Sequence, residues 1–427
     1  MAAEEGRGDK ELMDKRSRIS WAFYDWANSA FATTVMAGFF PVFFKEYWAN
    51  DLFATDSTFW LGVGNAIASI VMVLFAPLIG ALADQGENKK RLLLLFAFLG
   101  AVMTSSLFLV SAGMWQVALM FYALGIIGFS GSIVPYDALL VDVAGEEQLD
   151  KVSALGYASG YLGGGLLFAV NVFMVLKPGW FGLADAAQAV RVSFLLVGLW
   201  WAAFSIPVLL FVKEQNPKPP RNHVLHNAIK EIVENVREVR RFRMAALFLL
   251  SYWLYIDGVD TIVRMAVDYG LAIGFESSDL LTALLVTQFV GFPAALVFGY
   301  IGTRYGAKSG IMIALTAYIL IVFWAWRMQS TWEFYGLAVA IGLVQGGIQS
   351  LSRSLYARLI PADRAGMFFG IYNMLGKFAA VIGPLLVGAV TVLSNDSRIG
   401  ILSVLILFVA GFVVLQRVDP NRSGEYK

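Results

Sequence analysis

The stretch "GALADQGENKKR", Gly80 to Arg91, has a partner further along the chain, "GYIGTRYGAKSG", Gly299 to Gly310. Each follows a long apolar run, and each joins glycine and small residues at a helix end to a basic turn. The copies lie at equivalent places in the two halves of the chain, which is the mark of an internal repeat. Between them runs the longest polar interval, "KEQNPKPPRNHVLHNAIKEIVENVREVRRFR", Lys213 to Arg243. Working outward from these landmarks gives six apolar runs on either side of that interval.

The runs are 20–44, 59–83, 91–111, 115–138, 153–176 and 191–212 in the first half. In the second half they are 244–269, 279–302, 309–327, 332–355, 367–393 and 398–416. Each is long enough to cross a hydrocarbon layer of about 30 Å as a helix. Of the 427 residues 58% are hydrophobic and only 15% charged, and the charges cluster between the runs, so the chain is read as a polytopic membrane protein. No cysteine is present, which excludes disulfides and thiolate metal sites. The polar start "MAAEEGRGDKELMDKRSR" lacks the pattern of a cleaved signal, and the first run is expected to act as an uncleaved one.

Twelve spans bring both termini to one side. Of the 32 Lys and Arg residues, 25 lie at or beside the termini and the even-numbered joins, against 5 at the odd-numbered joins. That asymmetry predicts cytoplasmic termini. The expected organisation is a tail over 1–19, a six-helix bundle over 20–212, a linker over 213–243, a second bundle over 244–416 and a tail over 417–427. Apolar residues at Val224, Leu225, Ala228, Ile229, Ile232, Val233 and Val236 recur at helical spacing and predict a helix lying on the membrane surface. The only histidines, His223 and His226, fall there and read as solvated linker residues.

"GALAD" and its basic turn resemble the loop motif of the major facilitator superfamily. The resemblance implies that Gly80 allows close helix packing and that Asp84 bonds across to the other bundle near a helix N-terminus. Gln85 stands where an arginine is common and Thr303 stands at the Asp position of the second copy, so a complete latch is implied only in the first half. Four longer stretches are similar to the vacuole-effluxer-like branch of that superfamily. They are "SWAFYDWANSAFATTV" (20–35), "SALGYASGYLGGGLL" (153–167), "YWLYIDGVDTIVRMA" (252–266) and "GLVQGGIQSLSRSLYARLIPADRAGMFFGIYNMLGKFAAVIGPLL" (342–386). The implied fold is all-helical, with twelve transmembrane helices in two pseudo-symmetric bundles. The implied activity is secondary transport in a bacterial inner membrane, with amino acids the best-known cargo of the branch.

A charge near the bilayer centre costs at least ~2.5 kcal/mol, so ionisable groups inside the spans are the first functional candidates. The seventh span carries Asp257, Asp260, Arg264 and Asp268 on one stripe of roughly 80°. Asp257 and Asp260 are expected to line a central cavity, and Arg264 to act as a gating charge or to neutralise its neighbours. Lys377 lies ~15 Å into the eleventh span with no acid on its own helix, and Asp257 and Asp260 match it in depth. In the first span Asp25 and Asn28 share a face. Gln288, Gln345, Gln349, Asn373, Tyr157 and Tyr161 are uncharged candidates for holding a solute, against the alternative of hydrogen bonds between helices. Asp137 and Asp142, around the end of the fourth span, are expected to meet Arg353 and Arg358 around the end of the tenth and so close one side of the protein.

No phosphate loop, Ser/His arrangement or HExxH motif occurs, so neither ATP hydrolysis nor an intramembrane enzyme is expected. The expectation is a monomer with no cofactor, metal or nucleic-acid partner, carrying a small solute, with protons as a candidate coupling ion. A non-transporting receptor or assembly factor and a lipid-moving variant are the alternatives. Charges buried on two helices favour the transporter.

Overall fold

A computed structural model describes residues 2–85, 88–215, 242–272, 277–394 and 396–420, with side chains withheld for residues 2–14, 54, 264–272, 277–278, 280, 379–381 and 397. Among the described residues, twelve helices are long and apolar enough to cross a membrane. The first six are α1 (Lys15–Trp48), α2 (Thr55–Ala83), α3 (Lys89–Leu109), α4 (Trp115–Val143), α5 (Glu146–Leu176) and α6 (Ala186–Phe211). The second six are α7 (Arg243–Val263), α8 (Leu281–Tyr305), α9 (Ala307–Arg327), α10 (Thr331–Leu359), α11 (Ala362–Ser394) and α12 (Arg398–Gln416). In a bilayer, backbone N–H and C=O groups must bond within the chain, and a helix does so within one segment. Large apolar side chains such as Leu95, Phe98, Leu199, Leu320 and Ile406 point outward. In water such a surface would drive association, whereas lipid accommodates it.

The even number of crossings returns the chain to the side on which it began, here called the terminal face. The bundles meet along two main seams, α5 against α8 and α10, and α2 and α4 against α11. Glycine allows the closest approach in the second seam. A Cβ on Gly80 would lie 2.1 Å from the carbonyl oxygen of Gly366 and 3.2 Å from Cα of Gly370. Within the first bundle a Cβ on Gly128 would lie 2.5 Å from the backbone nitrogen of Gly100.

Three features differ from the sequence reading. The helix that becomes α1 already begins at Ala2, so no break separates the tail from the first span. Within α1, widened π-type turns run over Phe31–Phe39 and Phe44–Trp48. Such turns add a residue to the helix face and often mark places where function displaced regular packing. Trp48 closes the first apolar run, where a tryptophan is ordinarily an interfacial anchor, yet it is fully buried against Phe40, Phe43 and Phe194, and its Nε1 donates to the Val110 carbonyl at 3.2 Å. The linker helix, His223 and His226 lie outside the described residues.

Candidate functional site

Two places in the structure gather the polar residues singled out above. The first is a seam of hydrogen bonds joining the bundles near the terminal face. Arg353 of α10 reaches into the first bundle and is only 2% exposed. Its Nε donates to Ser153 Oγ at 2.9 Å and its Nη2 to the Ser153 carbonyl at 2.9 Å. Its Nη1 donates to Asp137 Oδ1 at 3.2 Å, and both terminal nitrogens approach Asp25 Oδ2, at 3.5 and 3.4 Å. Arginine has five N–H donors. The five contacts match that number.

Aromatic rings complete the enclosure. The Arg353 guanidinium carbon lies 4.4 Å from the ring centre of Tyr157, 4.8 Å from Trp21 and 5.3 Å from Tyr136. Tyr136 donates to Asp25 Oδ2 at 2.8 Å, and Trp21 stacks on Tyr136 while donating to its carbonyl at 2.9 Å. Asn373 of α11 donates to Asp137 Oδ2 at 3.0 Å and to the Phe369 carbonyl. Asn28, one turn beyond Asp25, is buried with its Nδ2 unpartnered among the described residues.

One and a half turns closer to the terminal face, Arg358 clasps Asp150 through two bonds of 2.9 and 2.8 Å, and Ser354 donates to the same carboxylate. Asp84 seals the other seam. Its two oxygens accept from the backbone N–H groups of Gly366 at 2.7 Å and Met367 at 2.8 Å, at the start of α11. These are N–H groups that a helix cannot satisfy internally, and the helix dipole favours an anion there.

The pairing of acids and arginines differs from expectation at one end. Asp137 meets Arg353, but Asp142 does not meet Arg358. Asp142 stays in its own bundle, paired with Lys89 at 2.8 Å and with the backbone N–H of Gln215 at 3.0 Å. Glu214 joins this group by accepting from the Lys89 and Lys90 backbone, and partial burial pushes its carboxyl above the usual range. The chain leaving α6 is thus pinned to the start of α3. Asp150, which takes the role expected of Asp142, was missed because it reads as one acid among several in "GEEQLDK". Its signal was position: it starts α5, three residues before Ser153 on the same face.

The second place is a cavity of about 280 Å³ between the bundles, towards the face opposite the termini. Its wall combines Thr33 of α1 and Tyr161 of α5 with residues of the second bundle, including Thr287, Gln288 and Gln345. No Asp, Glu, Lys or Arg lines it among the described residues. Gln288 Nε2 donates across the bundles to Thr33 Oγ1 at 3.1 Å, and Thr33 sits in the first widened stretch of α1. Tyr161 lies between α8 and α10, where a Cβ on Gly291 or Gly346 would come within 2.7 Å of its ring. Gln349 is half-buried one turn past Gln345 and does not line the cavity.

The charged residues expected at the cavity lie elsewhere. Asp257 is buried against α11, where both its oxygens accept the backbone N–H of Gly383, at 2.9 and 3.0 Å. Pro384 follows, and a proline inside a helix disturbs the local ladder. Asp257 therefore ties α7 to the backbone of α11 just before its internal proline. Asp260 is half-buried, with Tyr157, Tyr252 and Tyr318 within reach of its charge. Lys377 is half-buried on α11. The side chains of Arg264 and Asp268 lie outside the described residues.

Comparison with known proteins decides the lineage. The family model of vacuole effluxer Atg22-like proteins matches residues 13–426. The chain belongs to that family. An uncharacterized MFS-type transporter YxiO of Bacillus subtilis is 36% identical over 408 residues, 95% of either chain. Autophagy-related protein 22 of Yarrowia lipolytica is 26% identical over 303 residues, covering 64% of this chain and 51% of the fungal one. Among solved structures, the human organic anion transporter MFSD10 superposes with a TM-score of 0.75 over 94% of this chain and 99% of that one, at 15% identity. The proton:xylose symporter XylE does so with 0.63 over 95% of either chain, at 12% identity. The Atg22-like chain therefore has the major facilitator fold of twelve helices in two bundles, and it is an integral membrane transporter of that superfamily.

Proposed function

We propose that this protein moves a small solute with an apolar body and an uncharged or zwitterionic polar end by alternating access, with both termini in the cytoplasm of a bacterial cell. Apolar amino acids are the leading cargo. The observation that carries this reading is the cavity between the bundles, whose described lining is apolar with a few amide and hydroxyl groups, spanned by the Thr33–Gln288 bond, beneath a terminal face that Asp84, Arg353 and Arg358 hold shut. A solute entering from the open side would meet apolar walls and a few amide and hydroxyl groups able to orient it, the usual character of a small-molecule site. It would break the Thr33–Gln288 bond and so act on both bundles at once.

Proton coupling is a further part of the proposal, supported by Asp25 and Asp137 sharing one guanidinium. Purified protein in proteoliposomes is expected to exchange radiolabelled leucine or phenylalanine faster than aspartate or glucose. Gln288→Ala is expected to raise the half-saturating concentration. Equal exchange of all four solutes, or no exchange of any, would count against the assignment.

A further inference from the structure

The Arg353 enclosure has an unequal ownership. Asp25, Trp21, Tyr136, Ser153 and Tyr157 all belong to α1, α4 and α5 of the first bundle, as does Asp137. The second bundle supplies the cation itself and two bracing contacts, Asn373 Nδ2 donating to Asp137 Oδ2 at 3.0 Å and the Ser350 carbonyl accepting from Ser153 Oγ at 2.7 Å. The enclosure is also shaped around that cation: a Cβ on Gly156 would lie 2.6 Å from Asp25 Oδ2 and 2.9 Å from Arg353 Nη2, so even an alanine would intrude. Three aromatic faces, two carboxylates and a serine thus form a complete guanidinium receptor inside one bundle. It is filled by a side chain of the other.

We propose that this receptor is a binding site for the ammonium or guanidinium head of an organic solute, and that Arg353 is its tethered occupant while the terminal face is shut. The proposal rests on the alternating-access reading above and names what replaces Arg353 when the bundles part. Separation withdraws α10 and leaves Asp25 and Asp137 facing each other's charge in a site walled by aromatic rings. A carboxylate so stripped of its counter-charge is costly. An incoming organic cation offsets that cost, because it offers the same charge to the carboxylates and the same face to the rings. A hard metal ion is a poorer fit, since it asks for an oxygen shell where three sides are aromatic. The cation therefore competes with Arg353 and favours the open terminal face by mass action.

The chain has no cysteine, so Ala357→Cys provides a single thiol. Ala357 is buried one helical turn beyond Arg353 on the same face of α10. Labelling of this thiol by a maleimide in purified, nanodisc-held protein reports opening of the terminal face. Saturating n-butylguanidinium is expected to speed labelling about tenfold, and its neutral counterpart n-butylurea to leave the rate unchanged. In Asp25→Asn and in Asp137→Asn backgrounds the response to n-butylguanidinium should shrink or vanish. A second measurement needs no motion: Arg353→Ala empties the receptor, and n-butylguanidinium, not n-butylurea, should raise its melting temperature.

Equal effects of n-butylguanidinium and n-butylurea in both measurements would overturn the assignment, as would opening driven by acid alone with no response to the organic cation. Asp84→Asn separates the two levels of the argument. If that substitution exposes the thiol but n-butylguanidinium does not, the receptor is refuted and the rocking motion stands. If no condition exposes it, the rocking motion itself is refuted.

Discussion

Asp84→Asn offers the sharpest test of how the two bundles are held. The carboxylate accepts two N–H groups at the start of α11, at 2.7 and 2.8 Å. Asparagine keeps one acceptor oxygen and loses the charge, so one bond and the attraction to the helix dipole disappear. A hydrogen bond to a charged group contributes roughly 1.5–3 kcal/mol and the dipole about 0.5 kcal/mol. Asp84 is half-buried, and solvent screening lowers the sum to about 1–2 kcal/mol. Because these bonds exist only while the bundles touch, the loss shifts the balance towards the open terminal face by roughly 5- to 30-fold. Maleimide labelling of Ala357→Cys should rise by that factor at 25 °C, provided opening and closing are fast beside the reaction. An unchanged or slower rate in a protein of normal melting temperature would mean that Asp84 does not hold the closed state.

Reversal of the Asp150–Arg358 pair tests the second clasp. Asp150→Arg and Arg358→Asp should each open the terminal face in the same labelling assay, and the double reversal should recover at least half of the loss, with a coupling of about 1–3 kcal/mol because Asp150 is buried and Arg358 is 23% exposed. Recovery by Asp142→Arg instead would contradict the observed pairing. Gly80→Val should push α2 and α11 apart, since even a Cβ would lie 2.1 Å from the Gly366 carbonyl oxygen; a loss of about 1–3 kcal/mol, read as a lower melting temperature, is expected, and a melting temperature equal to the parent's would show that the seam yields freely.

The sequence alone determined the membrane class, the twelve spans and the two-bundle repeat. Those follow from apolar run length and from the spacing of small residues and basic turns, which are local properties that lipid thickness and backbone hydrogen bonding translate into helices. It also singled out Gly80, Asp84, Asp25, Asp137 and Arg353, because a charge or a glycine in an apolar setting stands out by type alone. What it left undetermined was partnership. Asp142 and Asp150 are both acids at span ends near the same face, and only the packing of α5 against α8 and α10 brings Asp150, not Asp142, to Arg358. The rotation of Asp257 about its helix, which its position in the sequence does not give, turns it from the expected cavity wall to the backbone of Gly383 on α11. Of the three rings around Arg353 the sequence marked only Tyr157; Trp21 and Tyr136 carry no charge to set them apart in a chain where 14% of residues are aromatic. A guanidinium receptor is a property of three helices meeting, and no single helix's sequence contains it.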